Sequence, residues 1–389
     1  MATMSQPRMS ATTREFPQSS VSFDWIVVLL EAWWVGGLFV DSWAHAHGKV
    51  DQSFFTPWHA ILYAGFFVNA LFFASVAWRN HGKGYPWSHS VPRGYEFAVL
   101  GVGIFLVGGF LDLIWHLLFG IERSLSATLS PTHLMLALGI FLAASGPWRA
   151  AWLRPPTHQP ENLVQLLPML VSLAYVLSIL TFFTQYANPI VTSWADKQAL
   201  QEMQELGVAS ILLTTAIFIG VVLLAIRRWR LPLGSFTIML TINLVLASVL
   251  ANPIPPVLFV AVLAIINGLL IDGLNLALKP SVDRVTALRL FAFLVPVVTE
   301  MIYFFAIQML HGIAWVVHLW VGCSVTCLSL CQYSKSSAGQ CASRARVAGM
   351  VCTIISKMIR CALLSRGSRQ LDLAYQSGVR RIRNSYKKN

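Results

Sequence analysis

Long apolar runs separated by short polar loops make up most of this chain. A helix needs about 20 apolar residues to cross the hydrocarbon core of a bilayer. The pattern predicts about ten such helices, at residues 24–44, 57–79, 95–119, 131–152, 162–186, 206–229, 232–251, 255–278, 287–309 and 312–331. The predicted fold class is therefore all-α, a polytopic integral membrane protein.

The apolar runs divide the chain into four parts. An N-terminal tail (1–23) precedes a first membrane region (24–152), in which two helical hairpins repeat one pattern of polar residues. A second membrane region of about six helices follows (153–331), and a basic, cysteine-containing tail ends the chain (332–389). The first apolar run is too long for the core of a cleavable signal peptide, so it is predicted to be a membrane helix.

Composition supports the membrane assignment. The 389 residues are 56% hydrophobic and 11% charged, with a mean hydropathy of +0.64, whereas soluble domains carry about 25% charged residues. Ionisable residues inside apolar runs are functional candidates because they are costly there; they are Glu31, Asp112, Asp272, Glu300 and His318. Asp272 is expected to form a structural pair with Lys279. Neutral, hydrogen-bonded packing is the alternative to a functional role for Glu31, Glu300 and His318, and a third cluster of Glu300 with His311 and His318 is a less favoured one.

Lysine and arginine placement predicts the orientation. Basic residues concentrate in the loops at 79–94, 149–161, 227–230 and 279–289, whereas the alternate loops carry only Lys49, Arg123 and Lys197. The positive-inside rule therefore places both termini in the cytoplasm of a cell-membrane protein. The histidines near the helix ends then fall on the extracytoplasmic side.

The tail at 332–389 supplies most of the net charge of +12. Such a basic segment is suited to anionic lipids of the cytoplasmic leaflet. Nucleic acid is not an expected partner, because no recognised binding module accompanies the charge.

All six cysteines follow residue 322. Cys323, Cys327 and Cys331 share one helix face, for which apolar packing is favoured over thiolate metal binding or lipidation.

The most informative pattern is a duplicated motif in the first membrane region. Asp41-Ser-Trp-Ala-His45 is followed by Phe55-Thr-Pro-Trp-His59, and Asp112-Leu-Ile-Trp-His116 by Leu129-Ser-Pro-Thr-His133. Aspartate and histidine four residues apart share a helix face. Thr or Ser before Pro starts the next helix. Each hairpin is thus predicted to bring one carboxylate and two imidazoles together: Asp41, His45 and His59 in one, Asp112, His116 and His133 in the other.

Two imidazoles and one carboxylate can bind Fe(II), Zn(II) or copper and leave coordination positions open. A single copy could equally be a hydrogen-bonded helix end, but two copies in the same order favour a metal site. Asp51 and Glu122, in the two loops, are candidates to orient the imidazoles. His47 is expected to be a loop histidine, and Trp43, Trp58 and Trp115 suit an aromatic belt as well as a pocket.

At these residues, over about 24–150, the chain resembles the C subunit of particulate methane and ammonia monooxygenases. Phe55-Thr56-Pro57-Trp58-His59 together with Asp41 and His45 closely matches the first motif of that family. The resemblance implies that Asp41, His45 and His59 bind one copper ion. Asp112, His116 and His133 match the second motif, with aspartate in the place of asparagine. The family acts together with other membrane subunits.

Three functions remain open from the sequence. The first is a component of a copper-dependent membrane monooxygenase, which activates dioxygen near the outer leaflet. The second is a metal-ion or proton-coupled transporter, in which Glu31, Glu300 and His318 continue the path across the membrane. The third is a structural membrane protein that binds no metal and has its histidines only at the membrane interface.

Overall fold

The computed structural model describes residues 16–49, 55–120, 128–154, 162–192, 204–251 and 254–323. Several sequence predictions concern residues outside these ranges. They are the roles of Asp51 and Glu122, the face shared by Cys327 and Cys331, and the basic tail at 332–389.

The described residues fold into helices. In chain order these are α1 (Val21–Ala46), α2 (Pro57–Gly82), α3 (Glu96–Phe119), α4 (Pro131–Ala144), α5 (Gly146–Leu153), α6 (Leu163–Phe183), α7 (Pro189–Thr192), α8 (Gln204–Arg228), α9 (Ser235–Val249), α10 (Val257–Leu278) and α11 (Val285–Leu310). A further helical segment covers 317–323. The predicted all-α class is confirmed.

Eight helices in the described ranges are long and apolar enough to cross a membrane, which fits a multi-pass membrane protein. They are α1, α2, α3, α6, α8, α10, α11 and the pair α4–α5, which counts as one span because only Ser145 separates its parts. The predicted first six, eighth and ninth spans correspond to these eight.

The seventh and tenth predicted spans are not among them. Helix α9 has 15 residues, or about 22 Å, against about 30 Å of hydrocarbon. Gly234, at φ 93°, precedes its first residue, and prolines at 253, 255 and 256 follow its end, so the turn residues shorten the apolar run. In the tenth run, residues 312–316 are not helical, and the part beyond 323 is not described.

Glycines bring the helices of each hairpin into close contact. A Cβ on Gly65 of α2 would lie 2.7 Å from the Cα of Trp34 in α1. A Cβ on Gly101 of α3 would lie 2.4 Å from the carbonyl oxygen of Gly139 in α4. Only glycine permits such backbone approach. The tight packing places the end of α1 beside the start of α2, and the end of α3 beside the start of α4.

Helix α6 connects the two membrane regions. Tyr175, Val176, Ile179 and Phe182 pack in a buried cluster with apolar residues of α1 to α4. Leu166, Leu170, Leu173 and Leu177 pack in a second cluster with residues of α8, α9 and α11. Since both faces of α6 are covered, this helix packs against both the N-terminal hairpins and the C-terminal helices.

A buried ion pair joins the start of α1 to the end of α5. Arg154 Nη2 donates to Asp24 Oδ2 and, at 3.0 Å, to Ser19 Oγ. Tyr95 Oη donates to Asp24 Oδ1 at 2.7 Å. Asp24 and Arg154 are 2% and 7% exposed, so the pair is a structural element of the bundle.

Asp272 has a different partner from the predicted one. Its carboxylate accepts hydrogen bonds from the backbone N–H of Gly234, Phe236 and Thr237 and from Thr237 Oγ1. The expected ion pair with Lys279 is not among those of the described residues. The side chain is fully buried against α9, whose first N–H groups have no partner within their own helix. Asp272 therefore caps α9.

Candidate metal centre

Helix caps position the histidines of both motifs. Thr56 precedes Pro57, the first residue of α2, and its Oγ1 accepts a hydrogen bond from the backbone N–H of His59 at 3.1 Å. Ser130 does the same before α4, accepting from the N–H of His133 at 3.3 Å. The predicted helix starts are therefore confirmed, and His59 and His133 both lie in a first helical turn.

The first group consists of Asp41 and His45, near the end of α1, and His59. Asp41 Oδ2 lies 3.5 Å from His59 Nε2. The rings of His45 and His59 have centroids 5.3 Å apart. One ligand atom from each residue lies within 4.8 Å of the other two. Asp41 and His59 are buried and His45 is half-buried, so the predicted set converges in a sheltered position.

The second group repeats this geometry between α3 and α4. Asp112 Oδ2 lies 3.5 Å from His116 Nε2, and its Oδ1 lies 3.4 Å from His133 Nε2. The centroids of the two rings are 5.5 Å apart, and the three ligand atoms again lie within 4.8 Å of one another. Asp112 and His116 are buried, whereas the His133 side chain is 24% exposed. These are the metal-compatible groups found among the described residues.

The spacing of the carboxylate and imidazole atoms is compatible with metal coordination. Bonds of 2.0–2.2 Å from a tetrahedral ion place neighbouring ligand atoms about 3.4 Å apart. The three carboxylate–imidazole separations are 3.5, 3.5 and 3.4 Å. An ion therefore fits between these atoms.

A backbone carbonyl orients the ring of His116. His116 Nδ1 lies 3.2 Å from the carbonyl oxygen of Gly120, and Nε2 of the same ring lies 3.5 Å from Asp112 Oδ2. Because a carbonyl only accepts, the Gly120 contact fixes Nδ1 as a donor and directs Nε2 toward the carboxylate.

Other side chains orient the candidate residues from outside. His59 Nδ1 is hydrogen-bonded to Thr56 Oγ1 at 3.2 Å, and His133 Nδ1 to Ser130 Oγ at 2.7 Å. Thr132 Oγ1 donates to Asp112 Oδ1 at 2.8 Å. Partners of this kind fix the ring orientation of metal-binding histidines. Thr132 was not predicted, although its place between Ser130 and His133 in the motif could have suggested it.

The two groups are neighbours. The rings of His59 and His116 have centroids 6.3 Å apart, and Asp41 lies within electrostatic range of Asp112 and His116. Tyr63, one turn after His59 on α2, packs against Gly109 of α3, whose Cβ would lie 3.2 Å from the Tyr63 hydroxyl. The sequence did not indicate Tyr63, because its position depends on how the two hairpins pack together.

The remaining candidates of the first region lie around these groups. His47 follows α1 in a turn, as predicted, and its Nδ1 is 2.9 Å from the carbonyl oxygen of Trp43. Trp43 packs edge-on against Trp58 at a centroid distance of 5.6 Å. Glu31, deeper in α1, is 1% exposed, and neither carboxylate oxygen has a hydrogen-bond partner among the described residues.

The less favoured third cluster of Glu300, His311 and His318 does not form among the described residues. Glu300 is buried in α11 and accepts a hydrogen bond from Thr215 Oγ1 at 3.3 Å. His311 is the exposed residue that ends α11, and His318 is exposed in the segment that follows. The prediction assumed that His311 and His318 share one continuous helix, whereas the chain turns between them at Gly312, with φ 79°.

Comparison with known proteins identifies no family for this chain. No protein-family model matches the chain. Among curated proteins and solved structures there is likewise no match.

Proposed function

We propose that this protein binds two transition-metal ions at neighbouring sites on the outer face of a membrane. Asp41, His45 and His59 are the ligands of the first ion, and Asp112, His116 and His133 those of the second. The observation that carries this proposal is the convergence, in each group, of one carboxylate and two imidazoles whose ligand atoms lie within 4.8 Å of one another. A cation held between these atoms is shared by all three donors.

Each site has the composition of a reactive metal centre rather than of a closed structural one. Two imidazoles and one carboxylate leave at least one position of a tetrahedron for water or substrate. The carboxylate offsets one positive charge of a divalent ion. The His133 side chain is 24% exposed, so solvent reaches the second site at this residue.

Copper is the ion we propose, on the basis of the resemblance to the C subunit of particulate methane and ammonia monooxygenases. Copper would supply one-electron chemistry toward dioxygen. In this proposal the two imidazoles of each site donate their Nε2 or Nδ1 lone pairs, and the hydroxyls of Thr56 and Ser130 hold the rings in place. The protein would then be a component of a membrane monooxygenase that acts with other membrane subunits.

The topology we propose follows from the same assignment. The two hairpins are copies of one two-helix unit, so both sites open on the extracytoplasmic side of the cell membrane and both termini lie in the cytoplasm. About ten spans result if α9 and the run at 312–331 also cross the bilayer. The basic tail at 332–389 then lies against the anionic lipids of the inner leaflet.

Metal content after purification tests this function. The full chain in detergent is analysed by mass spectrometry for copper, zinc and iron, beside a His45→Ala/His59→Ala variant and a His116→Ala/His133→Ala variant. We expect about two copper ions per chain, with about one lost in each double variant. A His47→Ala/His81→Ala variant, which leaves both groups intact, is the matched control and retains both ions.

The other outcomes separate the alternatives. Zinc or iron lost in the same variant-specific way retains the sites and rejects copper. If the native chain holds no metal after reconstitution with copper, and its unfolding curve shows that it is folded, metal binding is rejected altogether.

A further inference from the structure

An acidic side chain without a partner lies in the middle of the first helix. Glu31 is the eleventh residue of α1, so it lies about 15 Å from the start of the helix, or half the thickness of the hydrocarbon core. It is 1% exposed, and neither carboxyl oxygen has a hydrogen-bond partner in the described part of the chain. The metal centre does not use it. Ionisable residues at this depth are costly and mark functional sites by default.

The hydrogen-bond donors near Glu31 do not serve it. Asn69 of α2 lies beside this turn of α1, and its Nδ2 donates to the carbonyl oxygens of Leu30 at 3.0 Å and Gly65 at 2.9 Å. An amide nitrogen has two hydrogens, so both are used. The indole Nε1 of Trp34, one turn further along α1, has no partner in the described ranges. A buried carboxylate without a donor or counter-ion is so costly that the group takes up a proton instead.

Asp24 lies between Glu31 and the inner end of the bundle, which is the end at which α1 begins. The two acids are seven residues apart, so they share a helix face at a separation of about 10 Å along the axis. Asp24 lies within electrostatic range of Glu31. Tyr95, whose hydroxyl donates to Asp24 Oδ1, lies within range of both acids. Polar groups at such a separation exchange protons through water.

A small pocket brings water to the other side of Asp24. Its volume is about 40 Å³, and its polar lining consists of Gln18, Ser19, Arg93 and Arg154. Since one water molecule needs about 10–15 Å³ of such volume, the pocket has room for about three. Gln18 and Arg93 are exposed, so the pocket opens at the inner surface. Arg154 connects it to Asp24, because its Nη2 donates to Asp24 Oδ2.

The way from Glu31 to the metal centre is longer and less polar. The next acid on α1 is Asp41, about 15 Å beyond Glu31. Apart from the indole of Trp34, the buried side chains of α1 between the two acids are apolar: Val35, Leu38 and Phe39. Glu31 is therefore closer to the polar groups of the inner end than to those of the metal centre.

We infer that Glu31 is a proton-binding site that exchanges its proton with the inner side of the membrane by way of Asp24. On release, the O–H bond of Glu31 breaks, and the proton passes through water to the Asp24 carboxylate and then to water in the pocket. Uptake is the reverse. The titratable or charged groups around the site are Asp24, Arg154, Tyr95 and, from α6, Tyr175. The site needs no metal ion, so its test is independent of the metal analysis.

Infrared spectroscopy of the full chain in phosphatidylcholine nanodiscs at neutral pH tests whether Glu31 is protonated. The C=O stretch of a protonated carboxylic acid is separate from the bands of carboxylates and amides. We expect this band to be larger in the native chain than in Glu31→Gln, a variant of nearly the same shape. Glu205→Gln, at an exposed position of α8, is the matched control and should leave the band unchanged.

Transfer into D2O tests the exchange route. The C=O band of Glu31 should shift as deuterium replaces its proton. In the Asp24→Asn/Arg154→Met chain this shift should be about 100-fold slower, because the group positioned for proton transfer is lost. Glu96→Gln/Arg149→Met removes another acid and arginine at the inner end, which lie within electrostatic range of each other. This matched control should exchange at the native rate.

Three results would overturn the inference, in variants that are folded by their unfolding curves. A Glu31→Gln chain with the native C=O band shows that Glu31 is ionised. A Glu31 band that does not shift in D2O shows a neutral group fixed in the core. The third is an exchange rate that Asp24→Asn/Arg154→Met leaves unchanged, or that His45→Ala/His59→Ala lowers instead, which shows that the proton does not leave through the inner end.

Discussion

His59 and His116 belong to different Asp-His-His groups, yet their ring centroids lie only 6.3 Å apart. The contact joins the start of α2 to the end of α3, which are elements of different hairpins. Because Asp41 is also within electrostatic range of Asp112 and His116, the charge of one group acts on the other. Two ions bound here would form one local electrostatic unit rather than two isolated sites.

The first prediction concerns this proximity. If both sites hold Cu(II), the two unpaired electrons interact, and the electron paramagnetic resonance spectrum of the native chain broadens by dipolar coupling. In the His45→Ala/His59→Ala variant the remaining ion should give a sharp spectrum of isolated Cu(II). Sharp spectra of equal width in both proteins, at two ions per native chain, would show that the ions do not interact.

The second prediction concerns the cap of α2. Thr56 accepts from the backbone N–H of His59 and bonds to its Nδ1. Thr56→Ala should lower metal affinity at the first site about 10–100-fold, since the ring loses its orienting partner, and should destabilise the chain by about 1 kcal/mol. Chelator competition measures the affinity. Thr56→Ser, which keeps the hydroxyl, is the control, and an equal loss in both variants would contradict the explanation.

The third prediction concerns the ion pair between Asp24 and Arg154. Asp24→Asn leaves the Arg154 cation buried without its counter-ion, which should cost about 3–5 kcal/mol. Arg154→Met leaves the Asp24 carboxylate buried without its counter-ion, so it should lower the free energy of unfolding by a similar amount. The double variant should recover most of the loss, because it leaves neither charge unpaired. Unfolding in mixed micelles measures all three, and additive losses in the double variant would mean that the two charges do not interact.

The fourth prediction concerns the packing of α3 on α4. Gly101→Ala places a Cβ 2.4 Å from the carbonyl oxygen of Gly139, so the helices must separate, at a cost of about 1–3 kcal/mol. Gly103→Ala, on the same helix but with no atom within 4 Å of its Cβ, should cost nothing. The same unfolding assay compares them, and equal stability of the two variants would show that close backbone contact is not required.

The fifth prediction concerns the cap of α9. Asp272→Ala removes the acceptor of four hydrogen bonds from Gly234, Phe236 and Thr237. The loss should be about 2 kcal/mol or more, because the buried N–H groups of Phe236 and Thr237 are left without a partner. Asp283→Ala, at an exposed position, is the matched control. Unfolding should begin at a lower denaturant fraction only in the first variant.

The sequence predicted the features that depend on local spacing. Asp41 and His45 share a helix face because they are four residues apart, and Thr56 and Ser130 begin helices because their hydroxyls cap them. These local rules were enough to place all six candidate residues in two groups. The helix limits also follow from apolar length, except where Gly234 and the prolines after Ala251 shorten the seventh run.

Features that depend on contacts between distant elements were not predictable in this way. Asp272 was assigned to Lys279 because the two are close in sequence, whereas its partners are on α9. Likewise, nothing in the local pattern paired Asp24 with Arg154 or placed His59 beside His116. Each of these contacts depends on the packing of whole helices, which periodicity does not specify.

The ion pair between the first helix and the end of α5 also has a consequence for how the protein is made. Asp24 and Arg154 are separated by 130 residues, and ribosomes add about 5–20 residues per second. Asp24 is therefore synthesised about 7–26 s before the arginine that neutralises it. If α1 enters the bilayer during that interval, it does so with an unpaired acid near its start. Because of this order of synthesis, the ion pair that joins α1 to the end of α5 can form only after the second hairpin is complete.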